Sequence, residues 1–158
     1  MCKGYNLVKA LQERDDFTEK EVAFILWQLL LAVNYCHKND VMHRDIKLDN
    51  ILIEKQSLQV KLIDFGYAFL FDSRQEMVQL AGTFMYMAPE IMSQKKPYDQ
   101  LSDMWSVGIV AYILLASKFP FPGGDIDELK KRVVDGNFNK KALKRCSKGA
   151  INFLNNLL

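Results

Sequence analysis

The chain has 158 residues, 49% of them hydrophobic and 25% charged, with a formal net charge of +2; this is the balance of one soluble globular domain. So small a charge gives no reason to expect nucleic acid as a partner, and the densest basic run, residues 140–145, reads as a solvated turn or helix face. Three scattered cysteines (Cys2, Cys36, Cys146) suggest neither a disulfide framework nor a zinc site, and with no signal peptide or bilayer-length apolar run a cytoplasmic protein off the membrane is expected.

In chain order, Leu7, Val8 and Leu11 at helical spacing predict a short first helix. The best helix follows over residues 19–38. Thr18 with Glu21 three residues later forms a capping box, and Phe17 can staple onto Val22. Its apolar residues (Val22, Ile25, Leu26, Leu29, Leu30, Val33) cover more than one face, which predicts a buried helix. His37 and Lys38 suit its C-terminal end, His37 as a cap rather than a ligand, and Asn39 can take the left-handed stop.

Residues 41–66, VMHRDIKLDNILIEKQSLQVKLIDFG, are the most informative stretch. Two short apolar runs flank the polar turn 54–57, a hairpin pattern that would bring Asn50 and Asp64 side by side. After it comes a long loop with no sustained periodicity up to Ala88-Pro89-Glu90, of the kind kept for function. Residues 103–116 then read as a second buried helix, 125–136 as an amphipathic helix stopped by Gly136, and Ser147 caps a last one. The tally is about five helices and one strand pair.

The spacing His43-Arg44-Asp45, Lys47, Asn50 and then Asp64-Phe65-Gly66 resembles the catalytic loop and metal-binding triplet of eukaryotic protein kinases. Ile46 stands where leucine is usual. Gly82-Thr83, Ala88-Pro89-Glu90 and Asp103-x-Trp105-Ser106-x-Gly108 extend the likeness to nearly the whole chain. The implied fold is mainly α (α+β), a kinase-like C-terminal lobe with a small β-hairpin at the active site and the N-terminal β lobe absent. Residues 1–158 would be a partial kinase domain truncated at both ends, starting near the hinge.

The resemblance implies roles residue by residue. Asp45 would orient or accept the proton of the attacking hydroxyl, and Lys47 would set a positive charge beside the transferring phosphate. Asn50 and Asp64 are hard oxygen ligands suited to Mg2+ beside ATP. Leu7 and Leu52 would floor the adenine, continued by Val110 and Leu114, while His43 and Phe65 would belong to a second apolar column. Asp103 would hold the backbone of the His43-Arg44-Asp45 turn. Lys47 and Thr83 match the serine/threonine branch, nearest in flavour to the calcium/calmodulin-dependent group. Such regulation would need flanking domains.

Three departures qualify this. The sequence contains no glycine-rich loop and no assignable strand lysine, so negligible activity is expected of these 158 residues alone. The arginine that usually pairs with Glu90 is missing. Gln79 occupies the usual phosphosite, so Arg44 would lack a phosphate partner, with Ser73 an unsupported alternative. Two functions are carried forward: a serine/threonine kinase acting on protein substrates with ATP, and a non-catalytic kinase-lobe module that binds a protein partner.

Overall fold

A computed structural model describes residues 4–14, 16–71, 81–93 and 98–158. The expectations placed on residues 1–3, Ser73 and Gln79 lie outside them.

The chain opens with a short strand, β1 (Tyr5–Asn6), and helix α1 (Leu7–Glu13), which Asn6 caps by accepting from the Lys9 N–H. Helix α2 (Glu19–Lys38) starts at the foreseen capping box. Thr18 accepts from the Glu21 N–H, and the Glu21 carboxylate accepts from the Thr18 N–H in return. At its other end the left-handed residue is Asp40 (φ 57°), not Asn39 (φ −105°). The Asn39 N–H still closes the last turn on the carbonyls of Cys36 and His37, so the reversal falls one residue later.

Helix α2 is buried along one stripe only: Val22, Ile25, Leu26, Leu29 and Val33 face inward. Phe24, Trp27, Leu31 and Tyr35 are exposed, which corrects the expectation of a helix covered nearly all round. The reason is position, since α2 packs by that stripe on helix α4 (Leu101–Ala116), the more buried of the two. Almost every residue of α4 from Ser102 to Leu114 is buried, which fits its near-uniform apolar sequence.

Between these helices lie two small sheets. Strand β2 (Val41–Met42) pairs antiparallel with β5 (Phe69–Leu70). Strands β3 (Ile51–Ile53) and β4 (Val60–Leu62) form the foreseen hairpin, Ile51 opposite Leu62 and Ile53 opposite Val60. Strand β1 adds to the free edge of β3, with Tyr5 opposite Ile53, making a three-stranded sheet in the order β1-β3-β4. Alternation along β3 buries Ile51 and Ile53 while Leu52 points to the other, partly open face.

Short helix α3 (Pro89–Ser93) packs on α5 (Ile126–Asp135), and α6 (Lys148–Asn155) packs on α4. Asp125 and Ser147 cap α5 and α6 by accepting from the N–H groups of Glu128 and Ala150. Gly136 (φ 66°) ends α5 in the left-handed conformation, as its position suggested. Helices with a small sheet at one end are the architecture that the sequence implied. Among the described residues no helix is long and apolar enough to cross a membrane.

Candidate active site

The loop between β2 and β3 folds around Asp45, of which 3% is exposed. Oδ1 accepts from the Thr83 N–H at 3.0 Å and from the Thr83 hydroxyl at 2.7 Å. Oδ2 accepts from Asn50 Nδ2 at 2.9 Å and pairs with Lys47 Nζ at 2.7 Å. A carboxylate offers about four acceptor positions, and these donors take them all. Lys47 Nζ also donates to the Thr83 hydroxyl at 2.8 Å, and Asn50 Nδ2 to the Asp45 carbonyl at 2.9 Å, so the four residues form one closed network. Burial pushes the Asp45 carboxyl upward, but hydrogen bonds from Lys47, Thr83 and Asn50 and the Lys47 charge outweigh it and hold the group below its ordinary value. The group is therefore an ionised acceptor at neutral pH.

Asp103, in the first turn of α4 and 1% exposed, holds the backbone just before Asp45. Its Oδ2 accepts from the His43 N–H and its Oδ1 from the Arg44 N–H, both at 2.9 Å. Arg44 is thereby kept at φ 65°, a conformation that disfavours every residue except glycine. The Arg44 carbonyl faces Gly82 (φ 99°), where a Cβ would come within 2.3 Å of that oxygen. Only glycine fits there, and its closeness delivers Thr83 to Asp45.

The His43 ring fixes the other side. Nε2 donates to the Ile63 carbonyl at 3.0 Å, and Nδ1 accepts from the Asp45 N–H at 3.3 Å. A carbonyl only accepts, so Nε2 carries the hydrogen. The Phe65 ring meets the His43 ring edge-on at 4.7 Å and is 48% exposed.

Asp64 follows Ile63, whose N–H donates to the Asn50 carbonyl at 2.9 Å. The hairpin thus returns the chain from Asn50 to Asp64 as its pattern suggested. Asp64 is exposed, left-handed at φ 62°, and accepts at Oδ1 from the Gly66 N–H at 3.2 Å. With Asn50 Nδ2 committed to Asp45, Asn50 Oδ1 has no protein partner among the described residues. These two hard oxygens fit a Mg2+ ion, which takes few protein ligands when phosphates and water supply the rest.

Other expected residues fall differently. Leu52 is partly exposed beside the site, but Leu7 is wholly buried where α1 packs on β3 and the 48–50 turn. Wholly buried, Leu7 is thus corrected from a nucleotide contact to a core residue, and Val110 and Leu114 are buried too. Arg44 directs Nε to the Tyr67 carbonyl at 2.6 Å and lies 5.4 Å from the Phe69 ring, with Nη1 buried and without a partner among the described residues. Glu90 makes no ion pair among the described residues and lines a cavity of about 450 Å³ with Tyr98, Asp99, Trp105 and Asn156.

Two contributors carried no clear sign in the sequence. His37 Nε2 reaches Asp103 Oδ2 at 2.8 Å, beyond a capping role. Ser106 donates to the Tyr86 carbonyl at 2.8 Å and ties the loop after Thr83 to α4. A histidine at a helix C-terminus is common without such a role, and Ser106 entered only as a motif position with no role attached.

Comparison with known proteins shows the family. A family model described as "Protein kinase domain" matches residues 1–158. Sperm motility kinase 2A of Mus musculus is 35% identical over 140 residues, covering 88% of this chain and 27% of that protein. Serine/threonine-protein kinase SIK2 of Gallus gallus is 34% identical over 137 residues, 87% of this chain and 17% of that one. Calcium-dependent protein kinase 6 of Plasmodium berghei (strain Anka) is 33% identical over 161 residues, 100% of this chain and 11% of that one. The chain spans less than a third of the length of the curated relatives it matches.

Proposed function

The chain belongs to the protein kinase family, and from that premise we propose that it carries the catalytic-loop side of a serine/threonine kinase that transfers the ATP γ-phosphate to protein hydroxyls. The observation that carries the reading is the Asp45 carboxylate, kept ionised and fully oriented by Lys47, Thr83 and Asn50. In this reading a substrate hydroxyl takes the place of the Thr83 hydroxyl at Asp45 Oδ1, and Asp45 orients it and takes its proton as the new O–P bond forms. The Thr83 hydroxyl, 2.7 Å from Asp45 Oδ1, illustrates the geometry that a hydroxyl donor adopts at this carboxylate. Lys47 Nζ touches both and balances negative charge at the same point. Asn50 Oδ1 and the Asp64 carboxylate would hold Mg2+, which with ATP supplies the phosphoryl group and neutralises its oxygens.

Positioning contributes about 7–11 kcal/mol in well-oriented reactions. The 158 residues include no glycine-rich loop or strand lysine to cover a nucleotide from above, so assayed alone they should show negligible turnover. A cytoplasmic setting, supported by the free thiols of Cys36 and Cys146, belongs to the same proposal. Regulation of the calcium/calmodulin type would reside in flanking domains.

The test is to join these residues in frame to the nucleotide-binding lobe of a serine/threonine kinase and follow radiolabelled γ-phosphate into protein. Phosphoserine or phosphothreonine formed only by the joined protein supports the reading. No transfer by a joined protein that folds and binds ATP would refute it, as would turnover near 1–100 per second by the 158 residues alone.

A further inference from the structure

We propose that the outward face of α2 is a docking surface for an anionic lipid membrane, an inference independent of the kinase reading above. Six exposed residues of α2 recur every three or four positions and so share one stripe: Lys20, Phe24, Trp27, Leu31, Tyr35 and Lys38. At 1.5 Å per residue the stripe runs for about 27 Å along the helix. Its centre is apolar, with Phe24, Trp27, Leu31 and Tyr35 each 43% to 72% exposed and the Phe24 and Trp27 rings stacked at 6.0 Å. Single exposed apolar residues are ordinary, but four in register on one helix make a patch. On one flank the patch continues into a groove of about 390 Å³ that α2 shares with Ala150 and Phe153 of α6.

Charge decides what covers this patch. Lys20 and Lys38 stand at its two ends, exposed and without an ion-pair partner among the described residues. The carboxylates of the first turn are already engaged. Glu19 accepts from the Ser147 N–H at 2.8 Å and from the Ser147 hydroxyl, while Glu21 accepts from Thr18 and Arg14. The Glu19 contact also brings the segment around Ser147 to the start of α2. Lys144, Arg145 and Lys148 of that segment are exposed, again without an ion-pair partner among the described residues. Residues 136–158 contain no Asp or Glu to offset them. The face is thus apolar in the middle and basic at its ends, which fits anionic headgroups above hydrocarbon.

A second copy of the chain matches this face badly. Packed antiparallel with Trp27 over Leu31, the stripe sets Lys20 against Lys38 at both ends; packed parallel, it sets each lysine against its own copy. Like charges oppose association in either arrangement. A peptide partner gains most from a groove, whereas these four side chains stand on the convex crest of α2, opposite its buried stripe. A lipid interface conforms to such a crest, and aromatic rings with lysines beside them settle at headgroup level. Lying on a membrane needs no bilayer-crossing helix. The expectation of a protein off the membrane was drawn from the lack of such a run and does not bear on this face.

Sedimentation of the 158-residue chain with vesicles tests this, using phosphatidylcholine alone or mixed with phosphatidylserine. Binding to the mixed vesicles only, lost as salt is raised, is the expected result. Of the two tryptophans Trp105 is buried, so a shift of emission to shorter wavelength on binding should come from Trp27 and vanish in Trp27→Phe while binding persists. Replacing Lys20 and Lys38 together by Gln should weaken binding roughly twentyfold, each lysine near an anionic surface being worth about fivefold. Leu31→Ser should weaken it about tenfold. The charge-matched replacement of Lys130 and Lys131 by Gln, on α5 where it packs against α3, should change binding by less than about threefold. All these lysines are exposed, and thermal unfolding checks that each variant is folded. No binding of the folded chain to mixed vesicles would overturn the proposal. So would equal losses in the two lysine variants, which would mean net charge alone, or self-association abolished by Leu31→Ser without vesicle binding, which would give the face to a second copy.

Discussion

Two left-handed residues flank the site and are held in different ways. Arg44, at φ 65°, is clamped by a buried carboxylate that His37, His43 and Arg44 itself all approach. Asp64, at φ 62°, sits exposed with one N–H, that of Gly66, folded onto its side chain. The first arrangement is completed by the protein, and it fixes the group proposed to handle the proton. The second leaves an anionic oxygen open to solvent, which suits a group that a cation and phosphates would organise. A site built this way spends its folding energy on the proton acceptor and leaves the cation-facing side to be ordered on binding.

The largest effect should come from cutting the clamp. Asp103→Ala leaves one buried and one partly buried N–H group and His37 without their acceptor, and should cost about 3–5 kcal/mol in urea unfolding. A loss under about 1 kcal/mol would mean that the clamp does not hold the loop. Next, Gly82→Ala puts a Cβ within 2.3 Å of the Arg44 carbonyl at φ 99°. Backbone strain alone should then cost about 1–3 kcal/mol, and the exchange protection of Thr83 should fall with it.

Acid sharpens the same contrast. The folded pKa of Asp45 lies below its ordinary value of about 3.8, because the hydrogen bonds and charge around it outweigh burial. The group therefore adds stability above the ordinary value that is lost as pH falls through the folded one. Asp45→Asn has no carboxyl to titrate there, so the gap between the two proteins' urea midpoints should narrow as pH drops below about 4. A gap constant with pH would break the assignment of that shift to Asp45. Smallest of all, Asp64→Gly should change stability by no more than about 1 kcal/mol, since glycine accepts positive φ freely. A loss as large as that of Asp103→Ala would erase the contrast between the two sides.

What the sequence made readable follows from how local each signal is. The Thr18–Glu21 capping box, the hairpin of β3 and β4 and the uniformly apolar α4 are contained in a few consecutive residues, and all three are present. The spacing of Asp45, Lys47 and Asn50 is equally local, and the fold gathers these three with Thr83. Strands of two residues such as β1, β2 and β5 carry no periodicity, so their pairings could not be read. Leu7 was assigned to the adenine floor by resemblance alone, and its apolar character fits a core equally well. Apolar residues on the outer face of α2 carry no mark to distinguish Trp27 from Leu29, although one is 56% exposed and the other fully buried. The contact of His37 with Asp103 depends on how two distant helices meet.

The most direct measurement compares Asp45→Asn with the unsubstituted chain, each joined to a nucleotide-binding lobe, in phosphate transfer to a serine-containing protein. The rate should fall by about 10²–10⁴, the usual contribution of a positioned proton acceptor, while thermal unfolding at neutral pH confirms that both proteins are folded. Equal rates from two folded proteins would contradict a proton-accepting role for Asp45.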